Sequence, residues 1–488
     1  MIHSRPISIA FAAIFICILA DHSAFAQDKK DKIEELIGLY AEYHQFNGTA
    51  LVAENGALLY QGGFGHANME WDIKNTPDTK FRLGSITKQF TAMLVLQLAE
   101  QGKIDLQAAV TTYVPEYPKA TGDKITVHHL LTHTSGIPNY TSFPGFMQEH
   151  TKETYSPNDF IQVFADSALN FEPGSQFSYS NSGYFLLGVI IENVSGVSYE
   201  QLLTKNIFEP LNMKSSGYDH HSTILPKRAA AYERRGGAYV NAEYLDMSIP
   251  YAAGSMYSTV EDLFLWDKAL YTDKILSEEF RKQMFEAHIP AWGNSSYGYG
   301  FGVGKEDVGR DGDSLLVIGH GGGINGFNTL ITRIADDKNT VILLNNTGGA
   351  DLNTMTRAIT NILYENPYDL PKRSAAMELL EVITTEGIDA GLERYKELSI
   401  SDVYDVNERE MNNVGYQLLG SGSMNEAIEV FKLNVEAFPE SGNVYDSLGE
   451  AYLAAGNKEL AIKHYSKSVE VDPKNENGKK ILDELLAE

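Results

Sequence analysis

Cysteine is almost absent: the 488 residues contain one, Cys17. It lies in an N-terminal stretch that reads as an address label. Arg5 supplies a positive start, Ile9 to Ala20 an apolar run, and Ala24-Phe25-Ala26 a small-residue cleavage pattern. The run is too short to cross a bilayer as a stable helix. Residues 1–26 are therefore predicted to be a signal peptide, cleaved after Ala26. Ile16 stands before Cys17 where a lipoprotein signal needs a small residue. The expected product is exported, periplasmic or extracellular, and holds no membrane span after cleavage. Without Cys17 it has no thiol, which excludes disulfides, thiol catalysis and thiolate metal sites.

Positive charge is also scarce, with 39 Lys and Arg against 65 Asp and Glu and a net charge of −26. A nucleic-acid binder needs a basic face, and an anionic membrane surface needs the same. Neither is an expected partner. The apolar share of 43% and the charged share of 21% are those of a folded chain, long enough for two or three domains. Metal-ligand patterning is missing too. His128-His129, His133 and His220-His221 lie close in sequence, but no H-E-x-x-H accompanies them, and adjacent histidines face different ways. Structural roles are expected for these histidines, and neither metal nor cofactor.

What is present centres on Phe81-Arg82-Leu83-Gly84-Ser85-Ile86-Thr87-Lys88. Phe90, Met93, Leu94 and Leu98 follow at helical spacing and Gly102 closes the run. Ser85 then sits where a helix begins, with Lys88 one turn on, so hydroxyl and amine can meet. A serine attacks only when a base takes its proton, and a lysine serves if burial lowers its pKa. The helix's positive end favours charge developing at Ser85.

Around this point the chain alternates in character. After a helix from about Lys30 to Tyr43, Thr49 to Tyr60 reads as a hairpin turning at Asn55-Gly56. From Ser85 to about Trp266 the pattern is mostly helical, with long loops. Strands return at Ser314–Ile318, Phe327–Ile334 and Thr340–Leu344. The expected body, residues 27–365, is α+β, its sheet made from both ends of the segment and a helical subdomain holding the reactive helix. Two prolines in 366–374 suggest a linker. Residues 375–488 read as an all-α repeat domain. Gly415 and Gly449, Leu418 and Tyr452, Ala427 and Ala461, Phe431 and Tyr465, Pro439 and Pro473 recur with a period of 34, the length of a tetratricopeptide repeat. A degenerate unit (Ala375 to Leu398) precedes them and Lys479 to Leu486 reads as a cap. Such arrays bind a protein or peptide partner or pack against a neighbour.

Two clusters complete the site. Tyr179-Ser180-Asn181 offers a phenol for proton transfer and an amide for a substrate backbone. His320-Gly321-Gly322-Gly323 follows a predicted strand, where glycines let backbone approach a ligand. The order S-x-x-K, Y-x-N, H-x-G resembles the penicillin-recognising serine hydrolases; the class A members have S-x-x-K, S-D-N and K-T-G, and Tyr179-Ser180-Asn181 looks like the class C β-lactamase and D,D-peptidase branch. Leu130 to Gly136, Glu172-Pro173-Gly174 and Gly254 to Thr259 support the same branch.

The resemblance covers about Lys30 to Tyr364 and implies the serine β-lactamase-like fold, with an antiparallel sheet. It also implies these roles: Ser85 as nucleophile forming an acyl-enzyme, Lys88 with Tyr179 moving the proton to the leaving group, and Asn181 binding the substrate amide. The N–H groups of Ser85 and Gly323 would form the oxyanion hole, while His320 and Gly322 would contact substrate. One departure matters. His320 replaces the lysine of K-T-G, a permanent cation that holds a carboxylate, and a histidine is mostly neutral at pH 7. Relatives with H-x-G look more like esterases, D-aminopeptidases and other peptidases. The expectation is an ester- or amide-cleaving hydrolase acting on a small molecule or peptide, with weak β-lactamase activity at most. The alternative is a penicillin or peptidoglycan-fragment receptor that acylates without turnover and whose repeats recruit a partner.

Overall fold

The computed structural model describes residues 26–235 and 238–487. The signal-peptide reading and Cys17 fall outside them, apart from Ala26, which opens the first helix. Among the described residues no helix is long and apolar enough to cross a membrane. Two compact units form: one runs to Leu370 except for Arg234–Tyr239, and the other takes in that segment and the chain from Pro371.

The first unit is built on one antiparallel sheet of eight strands. They are β1 (Gly48–Glu54), β2 (Ala57–Gly63), β3 (Ile289–Pro290), β4 (Ser296–Tyr297), β5 (Gly302–Asp307), β6 (Ser314–Ile324), β7 (Phe327–Ile334) and β8 (Asn339–Asn345), in the spatial order β3-β4-β5-β6-β7-β8-β1-β2. β1 pairs with β8 from Gly48↔Asn345 to Ala53↔Thr340, so the two ends of the segment meet in mid-sheet, as expected. Asn55 and Gly56 both take positive φ at the β1–β2 turn. β1 is buried from Gly48 to Ala53 because both faces of the sheet are covered. Ala50 and Val52 point to one layer, with Ile33 and Ile37 of α1 (residues 26–42) and Met355 and Ile359 of α2 (Leu352–Leu363). Leu51 and Ala53 point to the other, the main core, where Phe90 stacks on Trp266 at 4.2 Å.

Two expectations need correction. β6 does not stop at Ile318; it continues through His320-Gly321-Gly322-Gly323 to Ile324, paired with β7 throughout. Glycines are poor strand formers, but packing requires one at 322, where a Cβ would fall 1.9 Å from Leu83 O and 2.4 Å from Thr329 Oγ1. The helical region also carries short strands that the pattern did not suggest. Phe81–Arg82, Met256–Ser258 and Gly217–Tyr218 form a separate three-stranded sheet, and the Leu83 N–H donates to Met256 O at 2.8 Å. This small sheet fixes the chain immediately before Ser85.

From Pro371 on, the described residues of the second unit are helical apart from the strand pair Arg373–Ser374 and Tyr404–Asp405. Paired helices Glu408–Gly420 with Met424–Ala437 and Gly442–Ala454 with Lys458–Val471 carry the repeat, after Ala375–Glu386 with Ile388–Leu398 and before Glu476–Ala487. The 34-residue period has a packing cause. A Cβ on Gly415 would lie 2.5 Å from the Phe431 ring, and one on Gly449 would lie 3.1 Å from the Tyr465 ring. Each first helix thus needs a glycine where the aromatic ring of its partner docks. Gly415→Ala is expected to cost this unit about 1–3 kcal/mol by overpacking. Gly420→Ala, with nothing within 4 Å of the added methyl, should leave stability equal or raise it. Thermal melting of both variants distinguishes packing from helix propensity.

Candidate active site

Leu83 leads into a tight turn, Gly84–Ile86, from which α3 (Thr87–Glu100) runs into the core. A second buried helix, α4, spans Asn181–Ser195. Gly84 has φ +54°, and a Cβ there would meet Gly323 N at 2.9 Å. Only glycine lets the Ser85 turn sit this close to the β6 backbone. The α3 helix is buried from Thr87 to Leu98 on every side rather than along one apolar face, so the Lys88 side chain is enclosed by protein and meets the cavity only beside Ser85.

Lys88 is 0% exposed. Its Nζ lies 2.8 Å from Asn181 Oδ1, 2.9 Å from the Ala253 carbonyl and 3.0 Å from Ser85 Oγ. No carboxylate pairs with it, and burial holds its pKa well below the usual lysine value. A neutral amine has two N–H donors and one lone pair. The two carbonyl oxygens accept the two N–H groups, so the lone pair is left for the Ser85 hydroxyl. This is the geometry of a base ready to take the serine proton.

Tyr179 stands on the same side. Its hydroxyl is buried and makes no hydrogen bond of ordinary geometry, while burial pushes its pKa up and the nearby Ser85 hydroxyl offsets only part of that rise. It is a protonated phenol at neutral pH. Lys88 Nζ lies 4.9 Å from the centre of its ring. Asn181 begins α4, capped by Ser180, whose side chain accepts from the Gly183 N–H. So Tyr179 and Asn181 are not two positions of one extended strand. The helix start turns Asn181 Oδ1 onto Lys88.

His133 holds that turn in place. Its Nδ1 accepts the Ser180 N–H at 3.1 Å, and its ring lies 4.2 Å from that of Tyr179. Ser178 N–H donates to His133 O, and Gly174 N–H to Thr134 O, which explains why the stretches around Leu130–Gly136 and Glu172–Gly174 belong to the site. The other histidines have structural partners, as expected: His128 with the Tyr299 hydroxyl, His129 in a capping box with Thr126, His220 with Glu200, and His221 with the Leu245 carbonyl. Among the described residues no group of three or more His, Cys, Asp or Glu is arranged to hold a metal.

β6 closes the site. His320 Nδ1 is 2.5 Å from the Gly321 carbonyl and must carry the proton, so Nε2 accepts from the Tyr297 hydroxyl at 3.0 Å. Burial, with Lys88 adding to it, pushes the His320 pKa down to about 4. The wall is uncharged at neutral pH. Gly322, expected at the substrate, shares a strand face with His320 and packs against the Ser85 turn: a Cβ there would fall 1.9 Å from Leu83 O. Ser85, Tyr179, Trp292, His320 and Gly321 are among the residues lining a space of about 790 Å³.

Sequence reasoning found Ser85, Lys88, Tyr179, Asn181 and His320, and the fold brings all five together. It missed Ala253, whose contribution is a backbone carbonyl, and Tyr297 and Trp292, which lie outside the three motifs. Tyr297 belongs to Ser296-Tyr297-Gly298-Tyr299-Gly300, and that alternation of aromatic and glycine was its only signal.

This arrangement of serine, amine and phenol on an antiparallel sheet is that of a penicillin-binding-protein-like serine hydrolase. Comparison with known proteins agrees. The Beta-lactamase family matches residues 32–364, and the Tetratricopeptide repeat family matches residues 442–475. Penicillin-binding protein 4* of Bacillus subtilis is 31% identical over 367 residues, covering 72% of this chain and 79% of that protein. The octameric penicillin-binding protein homologue from Pyrococcus abyssi is 30% identical, with a TM-score of 0.60, over 72% of this chain and 81% of that one. D-amino acid amidase from Ochrobactrum anthropi, solved with L-phenylalanine amide, is 25% identical, with a TM-score of 0.61, over 69% and 99%. The chain belongs to the Beta-lactamase family and carries a C-terminal tetratricopeptide repeat.

Proposed function

We propose that this protein is an exported hydrolase that forms an acyl-enzyme on Ser85 and cleaves an ester or amide carrying no charge beside His320. The observation that carries the reading is the Lys88 amine, wholly buried without a carboxylate and 3.0 Å from Ser85 Oγ. In this reading Lys88 takes the Ser85 proton as Oγ attacks the carbonyl. Tyr179 gives its proton to the leaving group and is resupplied from Lys88. Asn181, its oxygen held by Lys88, turns its NH₂ to the substrate carbonyl. The N–H groups of Ser85 and Gly323 hold the oxyanion, each worth about 10²–10³ in rate. Water then releases the acyl group with Lys88 as base.

The amidase likeness supports amide as well as ester cleavage. A neutral residue at position 320 argues for weak β-lactam hydrolysis. Export rests on the pattern of residues 1–26, and a periplasmic or extracellular site follows from it. The repeats are proposed to hold a protein or peptide partner.

The test follows turnover of p-nitrophenyl acetate and of penicillin against pH. The ester should be hydrolysed with many turnovers and penicillin slowly or not at all. The ester's kcat/KM should rise with pH as Lys88 loses its proton. His320 titrates at about 4, so it should add no step between about pH 5.5 and 7.5. A step near pH 6.5 that disappears in His320→Gln would overturn the neutral wall, and a stable one-to-one adduct without product release would favour a receptor.

A further inference from the structure

The cavity holding Ser85 and Tyr179 has an aromatic side that the chemistry above does not use. Trp292 lies in the loop between β3 and β4 and lines this cavity with 49% of its surface open. Gly293, at φ +55°, turns the backbone directly after it. The ring is supported from below. Phe177 meets it edge-on at 5.1 Å and 83°, and Tyr179 and Tyr297 lie 5.8 Å away. A large indole half open to water, yet anchored by three rings, offers a flat apolar surface to whatever fills the cavity.

Its neighbours fix which part of a substrate it meets. Tyr179 is the group that protonates the leaving group, and Trp292 packs beside Tyr179. His320, 6.1 Å from Tyr179 between ring centres, is neutral and occupied by Tyr297. The surface beside the leaving group is therefore aromatic and uncharged.

We propose that Trp292 is a specificity-determining residue that selects substrates whose leaving alcohol or amine is aromatic and uncharged, with Phe177 as its support. The inference rests on the hydrolase reading. In the step concerned, the Ser85 Oγ–acyl bond forms and the acyl–O or acyl–N bond breaks. The departing atom takes a proton from Tyr179, and Tyr179 recovers one from Lys88, which received it from Ser85. The departing ring leaves from the face of Trp292.

Benzyl acetate and methyl acetate test it, because they share an acyl group and their leaving alcohols are of similar acidity. Acetic acid release is followed on the full chain for wild type, Trp292→Ala and Trp292→Phe. Wild type should prefer the benzyl ester. Trp292→Ala should lower the benzyl-to-methyl ratio of kcat/KM by about tenfold, mostly through KM, the size of losing one ring contact and its buried area. Trp292→Phe should keep most of the ratio. Equal losses on both esters, or an unchanged ratio, would overturn the inference and leave the hydrolase reading intact.

Failure of wild type to turn over either ester would count against the hydrolase reading, and binding then decides the inference. Benzyl acetate is titrated into the Ser85→Ala protein and into Ser85→Ala/Trp292→Ala by ligand-observed NMR. Affinity about tenfold weaker in the second supports the role of Trp292, and equal affinity removes it.

Discussion

Ser85→Ala is expected to lower kcat/KM on an activated ester by about 10⁵-fold, because removing a nucleophile removes the covalent route altogether. Stability should barely move. Ser85 is only half-buried, and Lys88 keeps its bonds to Asn181 and Ala253 when the hydroxyl is lost. A change within about 0.5 kcal/mol is expected for a substitution that opens no cavity and strands no buried group. Steady-state kinetics beside a thermal melt measures both. A residual rate within about tenfold of wild type would mean that another group carries the reaction.

Lys88→Met is expected to lower kcat/KM by about 10³–10⁴-fold, the usual worth of a positioned general base together with its nucleophile activation. Its effect on stability should run the other way. A fully buried amine with no counter-charge is costly to keep, by several kcal/mol for the charged form. Methionine fills a similar volume without that penalty. Against the gain, Asn181 Oδ1 and Ala253 O lose their donor, at about 1–3 kcal/mol each. The variant should be as stable as wild type or more so near neutral pH. Burial lowers the folded-state pKa below 10.5, so the unfolded chain binds the extra proton between the two values. Wild-type stability therefore rises with pH over that window, and the advantage of Lys88→Met should shrink as pH approaches about 10.4. Melting curves from pH 7 to 10 follow the difference; a gap that widens with pH would show that Lys88 is not held neutral.

The two predictions concern the part of the site that was most legible in the sequence. Ser85 and Lys88 lie three residues apart at a helix start, and helix geometry alone brings them together. The repeat was legible for a similar reason, since Gly415 and Phe431 recur as Gly449 and Tyr465 wherever one helix must approach another. Where the sequence reading failed, the cause was tertiary. The strand was expected to end at Ile318, before the three glycines, yet it runs on to Ile324, and Gly322 is there so that β6 can pass Leu83, a residue more than 200 positions away. Asn181 is the first residue of a helix, because Ser180 takes the cap, and it is that helix start which turns its side chain onto Lys88. Ala253 offers a backbone oxygen, which no side-chain motif records. Tyr297 reaches His320 only because β4, β5 and β6 pair side by side. Burial on that wall, with Lys88 adding to it, changes the chemistry: the same histidine free in solvent would titrate near 6.5 and present a cation at mildly acidic pH.

The most direct test of the account is rapid-quench intact-mass spectrometry of the wild-type protein during turnover of p-nitrophenyl acetate, with peptide mapping of the trapped species. The account predicts a transient gain of one acetyl group, located on the peptide containing Ser85, that decays as acetate accumulates beyond the amount of enzyme. Hydrolysis with no adduct at any time, or an acetyl group on a peptide without Ser85, would contradict it.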